Sequence, residues 1–168
     1  MEYNKIVTLT FKREELLYDI KNIGWIKGDT LTDEQQHAKH LIQDIGEEGN
    51  VDRVTRIMDL AFAVCVELCY PFSKEDVDDE TVKDDTLVNA NEYVLNLRVP
   101  ATFSKTTVQL LLRYIHEFII YQVLADWFSI VYPEGKGIWD EKLANAESEI
   151  SSMLNSRTKR VRRKQSLF

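Results

Sequence analysis

Hydrophobic and polar positions alternate with period two at two places in the chain. In residues 5–11 (KIVTLTF), Val7, Leu9 and Phe11 fall on one face and Thr8 and Thr10 on the other. Later, Tyr93, Leu95, Leu97 and Val99 alternate with Val94, Asn96 and Arg98 until Pro100 stops the run. Period two with β-branched and aromatic residues predicts two short, half-buried strands that can pair. Residues 12–22 are charged, with Leu16, Leu17 and Ile20 at helical spacing, so a short helix is expected there. Gly24-Trp25-Ile26-Lys27-Gly28-Asp29 reads as a loop or short extended piece because two glycines punctuate it.

Four stretches repeat at three and four instead. Thr32-x-x-Gln35 fits a capping box, and Ala38, Leu41, Ile42 and Ile45 follow on one stripe ended by Gly46 and Gly49. Asn50 is placed to cap a second helix with Val54, Ile57, Met58, Ala61, Cys65 and Leu68 inside, closed by Pro71. Ser104 is placed to cap the longest helix, 104–131, with Phe103 and Val108 as a hydrophobic staple. That helix is apolar nearly all round, as expected for a central helix or one buried further by neighbouring subunits. After the turn residues Pro133, Gly135 and Gly137, the last helix (138–157) carries Trp139, Leu143, Ala146, Ile150 and Met153/Leu154 in a narrow stripe suited to one partner helix. Residues 73–92 have no periodicity and hold the acidic run Glu75–Asp85, an expected solvated loop. The fold class predicted is mainly α (α+β): a bundle of about four main helices with a small β element.

At roughly 100–200 residues per domain, 168 residues make one domain. The expected division is a single domain over 1–156 and a basic arm over 157–168. The formal charge of −7 hides this division. Arg157, Lys159, Arg160, Arg162, Arg163 and Lys164 give the last twelve residues +6 with no acid, leaving −13 on the first 156. The overall balance argues against a surface that grips nucleic acid everywhere. The N-terminal MEYNKIVTLTFKREELL has no apolar run of signal-peptide length, and a cytosolic site of synthesis is expected. Arg113, His116, Glu117 and Asp126 interrupt the most hydrophobic stretch, so no membrane span is expected.

Little points to catalysis or to a metal. His37-x-x-His40 places two imidazoles on nearly one helix face, but no second pair at zinc spacing stands beside them, and surface histidines are the better reading. Cys65 and Cys69, four apart on a helix, read as buried thiols and not as a disulfide. The acidic run lacks the glycine a calcium loop needs. His116 and Glu117 are adjacent and therefore diverge on a helix, so His116 is expected to be a hydrogen-bonded structural group. No phosphate-cradling glycine loop and no nucleophile motif is present, so no enzyme, cofactor or metal is expected.

The basic tail admits three readings: an arm that docks on a neighbouring subunit, a phosphate-binding tail for nucleic acid, or a solubilising terminus. The docking arm accounts for two facts together. Six cations face an acidic body, and the segment carries the apolar pair Leu167-Phe168.

The string LRVPATFSKTTVQLLLRYIHEFIIYQVLADWFSIVYPEGKGIWDEK, followed by a short helix and RTKRVRRKQSLF, resembles small virion proteins of tailed bacteriophages that lie near the portal gene, the head–tail connector or neck ring proteins. LLYDIKNIGWIKGD and IGEEGNVDRVTRIMDLA look like the same kind of protein from phages and prophages of gut Bacteroidetes. The resemblance implies a non-enzymatic helical bundle with a small β element. Its copies, often twelve, would form a ring on the portal protein, joined by further neck or tail proteins, with packaged DNA passing through. It implies a place in the virion after synthesis in the host cytoplasm. Carried over by position, Trp127 and Trp139 would anchor the last two helices, and Arg157 to Phe168 would reach a neighbouring copy or the portal. The acidic insertion 75–85 departs from the shortest connectors. An acidic body suits a channel wall, because each cation on phosphate adds binding and friction. The alternative function is a small DNA-associated accessory protein that holds nucleic acid through its basic tail.

Overall fold

The computed structural model describes residues 5–156. Strand β1 (Lys5–Lys12) runs straight into helix α1 (Arg13–Asp29). Helices α2 (Gln36–Gln43), α3 (Glu48–Leu68) and the short α4 (Tyr70–Ser73) follow. A long loop then leads to strand β2 (Glu92–Val99), helix α5 (Lys105–Val131) and helix α6 (Gly137–Ser156). The described chain is thus mainly helical with one small sheet.

The two strands pair antiparallel, with Val7 opposite Leu97, Leu9 opposite Leu95 and Phe11 opposite Tyr93. Alternation decides which face is inside: Leu9, Phe11, Tyr93, Leu95, Leu97 and Val99 are buried. On the outer face the Thr8 hydroxyl donates to Asn96 Oδ1 at 2.9 Å. Two polar ties reach α3, one from the first residue of α1 and one from β2. Arg13 Nη2 donates to the buried Thr55 Oγ1 at 2.7 Å, and the Tyr93 hydroxyl donates to Asp59 Oδ1 at 2.6 Å. Burial, and then the Asp59 carboxylate, push the Tyr93 phenol well above its ordinary range.

Helix α5 is the centre. Leu111, Ile115, Phe118, Ile119, Val123, Leu124 and Trp127 are all buried, and the helix touches α6, α3, α1, α2 and β1. Leu110, Leu112 and Ile130 remain exposed on it. Helix α6 lays Trp139, Ala146, Ile150 and Leu154 along α5, the one-partner stripe its spacing predicts. Cys65 and Cys69 are free and fully buried in α3 and just beyond it. No helix among the described residues is long and apolar enough to cross a membrane.

The structure corrects several local expectations. Residues 24–29 are not a loop, because α1 continues through them to Asp29. Gly24 and Gly28 sit four apart on its inner face, where α2 and the turn after it pass too close for a side chain. A Cβ at Gly24 would lie 2.9 Å from Ile45 Cγ2 and 3.1 Å from the Ile42 carbonyl oxygen. A Cβ at Gly28 would lie 3.1 Å from the Lys39 carbonyl oxygen. The glycines therefore mark close approach and not a chain break.

The expected caps also differ. Thr32 makes no side-chain cap; the chain enters α2 through a 3₁₀ turn, Asp33–Gln35, and Gln35 Nε2 donates to the Tyr132 hydroxyl at 3.2 Å. Helix α3 begins before Asn50, whose Nδ2 reaches back to the Asp44 carbonyl at 2.8 Å. Gly49 lies inside α3, so only Gly46 marks the end of the preceding turn. Ser104 holds the N-cap position of α5 without a side-chain bond. Helix α3 stops at Leu68, and Pro71 opens α4 in its first turn, where its missing N–H costs nothing.

Residues 74–91 have no regular structure and are largely exposed, including Val77, Val82 and Val88. Asp85 stands 3.9 Å from Arg56 of α3.

Candidate interaction surfaces

The expected arm residues Arg157, Lys159, Arg160, Arg162, Arg163, Lys164, Leu167 and Phe168 lie outside the described residues. The two expected anchors have different neighbours. Trp139 packs against Phe128 and Tyr121 of α5, with ring centroids 5.5 and 6.1 Å away. The ammonium groups of Lys142 and Lys27 stand over its ring. Trp127 turns towards α2, where its indole N–H donates to the Leu41 carbonyl at 3.1 Å. One indole joins α5 to α6; the other joins α5 to α2.

Two open grooves flank α1. The one on the α5 side has a volume of about 800 Å³ and is lined by Lys12, Glu15 and Asp19 facing Gln109, Arg113, His116 and Glu117. His116 Nε2 and Asp19 Oδ2 are 2.8 Å apart, a bridge that clips α1 to α5. This is the hydrogen-bonded histidine expected from the sequence. A carboxylate orients an imidazole but supplies no nucleophile for it to activate. Glu117 turns instead towards Tyr121, whose phenol is pushed up first by burial and then by that carboxylate. His37 and His40 are both exposed on α2. Among the described residues no group of three His, Cys, Asp or Glu side chains is placed to hold a metal ion.

The groove on the α2 side has a volume of about 640 Å³. One wall is a face of α1 carrying Tyr18, Lys21, Asn22 and Trp25; the other carries His40, Gln43, Asp44 and Glu47. Tyr18 is 67% exposed and Trp25 60% exposed. Gln43 Nε2 donates to the Trp25 carbonyl at 3.4 Å and holds the two walls together. Among the described ion pairs none involves Asp44 or Glu47. The sequence reading missed this surface because it ended the helix before Trp25. The signal was present: Tyr18 and Trp25 are seven apart, two turns of one helix face.

No protein-family model matches the chain, and no match is found among curated proteins or solved structures.

Proposed function

We propose that this chain is a structural building block of a tailed-phage neck, forming a ring that joins the portal to the tail and extends the DNA channel. The reading rests on the resemblance of residues 97–142 and of the Arg-rich segment after them to neck ring proteins. The observation that carries it is the segregation of charge, −13 on residues 1–156 and +6 on 157–168. Such a chain attracts its own copies head to tail, and heterologous contacts of that kind make a ring where the rotation between copies closes. The exposed apolar side chains Leu110, Leu112 and Ile130 on α5 and Tyr18, Trp25 and Ile26 on α1 add surface for contacts between copies. An acidic wall around a channel lets DNA slide without being held.

Native mass spectrometry of the full chain, alone and with a purified portal protein, tests this. Concentration-dependent closed oligomers that bind the portal are expected, and deletion of 157–168 should abolish them. A chain that stays monomeric with and without portal sinks the reading. Tail-dependent binding to duplex DNA with a steep salt dependence would replace it with the DNA-associated alternative.

A further inference from the structure

We infer that the groove between α1 and α2 is the receptor for the basic 157–168 segment of a second copy of this chain. The inference deepens the ring proposal and rests on it, since it names the surface that the arm of the neighbouring copy would occupy.

The groove has the chemistry for an arginine-rich partner. Its two aromatic rings, Tyr18 and Trp25, stand exposed where a monomeric protein gains nothing from exposing them. Guanidinium groups stack on such rings, Trp being the best platform. Acids frame the rings. Asp44 and Glu47 stand on the opposite wall beside His40 and Gln43, and Glu14 precedes Tyr18 by four residues on the same helix face. Lys21 is the only Lys or Arg among the lining residues, and its aliphatic stem lies on Gly46.

Spacing matches as well as charge. Tyr18 and Trp25 are seven residues apart, which is about 10 Å along a helix axis. A chain in the polyproline II form brings every third residue to one side, about 9 Å apart. Arg157, Arg160 and Arg163 recur at that interval, so two consecutive members of the series can reach both rings at once. Lys159, Arg162 and Lys164 then remain for the acids. The competing groove on the α5 side fits this partner less well. Its acids Glu15, Asp19 and Glu117 stand among Lys12 and Arg113, and Asp19 is engaged by His116. Its only Phe, Tyr or Trp, Phe11, is buried, so it offers no such ring for a guanidinium to stack on.

The chain carries its own probe. Of its three tryptophans, Trp25 is 60% exposed, Trp127 8% and Trp139 1%, so quenching of fluorescence by acrylamide reports on Trp25. The full chain is titrated through the concentration at which native mass spectrometry shows association. Trp25 should become shielded in step with association. In full-length R157Q/R160Q/R163Q both shielding and association should be lost. Y18A/W25A should weaken association by roughly tenfold. If the arginine variant stops association while Trp25 of the unaltered chain stays open to acrylamide, the arm docks elsewhere; this inference falls and the ring reading stands. If Trp25 is shielded in monomers, the segment folds back on its own copy and the inference is overturned. If Y18A/W25A weakens association and the arginine variant does not, another surface of the second copy covers the groove, which also overturns it. If the unaltered chain does not associate at any concentration, the ring reading fails and this inference with it.

Discussion

The tryptophans separate two regions built in opposite ways. Where α6 meets α5, large side chains fill the space: Trp139 is 1% exposed, and Ile150 and Leu154 continue its stripe. Where α1 meets α2, space is removed instead of filled. Gly24 and Gly28 let the backbones close in, and the large residues of α1, Tyr18, Trp25 and Ile26, are left on the outside. The first arrangement places apolar area inside the chain, where it stabilises the fold. The second leaves aromatic area outside, where it is free for a partner. Buried volume and available surface are thus divided between two helix pairs of one body.

The largest expected effect lies on the filled side. Trp139→Ala should cost about 3–5 kcal/mol, measured by urea unfolding, because an indole-sized void opens between α5 and α6. A loss below about 1 kcal/mol would mean that α6 is not held by this ring.

The two buried thiols of α3 and the turn after it should make the fold sensitive to alkali. Burial pushes Cys69 from 9.0 up to about 12, and burial followed by the neighbouring Cys69 pushes Cys65 upward too. As pH rises, the unfolded chain therefore loses these protons first. Their stabilising contribution is complete below pH 9 and is lost progressively between pH 9 and the raised folded values. The loss amounts to about 1.4 kcal/mol for each thiol and each pH unit above 9, or about 3 kcal/mol for the pair at pH 10. Unfolding free energies from pH 8 to 10 should show this slope in the unaltered chain. In C65A/C69A the slope should flatten, leaving the loss due to Tyr93 to begin near pH 10.

A pair of glycine substitutions tests whether α1 is seated by close approach. Gly24→Ala improves helix propensity by about 1 kcal/mol, yet it should destabilise by a net ~1–2 kcal/mol because its methyl meets Ile45 and the Ile42 carbonyl. Gly49→Ala, in the first turn of α3 with no atom within 4 Å of its Cβ position, should stabilise by about 0.5 kcal/mol. Equal gains at both positions, read from the same denaturant midpoints, would remove the close-packing account of α1.

The smallest stability effect belongs to the outer face. Trp25→Ala should change unfolding free energy by less than about 0.5 kcal/mol, although it removes the same side chain as Trp139→Ala. A loss comparable to that of Trp139→Ala would show that Trp25 is part of the core and not a contact surface.

Much of the core was legible in the sequence. Period two fixed both strands and their inner faces, and the three-four repeat of α5 and the stripe of α6 read directly as burial. The α1–α2 edge was not legible, for a physical reason. Gly24 and Gly28 carry the same letters whether they break a helix or let one approach a neighbour, and only the tertiary position of Ile42, Ile45 and Lys39 decides between the two. The same holds for Gln35. Its side chain and that of Asn50 were read as local caps. Gln35 bonds to Tyr132, 97 residues away, which only the tertiary fold brings near, and Asn50 reaches back six residues to the Asp44 carbonyl because α3 has already begun at Glu48. Losing the second half of α1 also hid the Tyr18–Trp25 face, since the two rings align only if the helix is unbroken.

The antiparallel pairing of β1 with β2 has a consequence for synthesis on the ribosome. β1 is finished at Lys12, but its first partner residue, Glu92, lies about 80 residues later. At roughly 5–20 residues per second, β1 waits about 4–16 s with an unpaired edge and an apolar face. The residues of α1 to α4 are made in that interval, and α1 can begin to find α2 before the ribbon exists. The sheet therefore cannot close until β2 has been made, and until then the edge of β1 is open to pairing with a neighbouring chain.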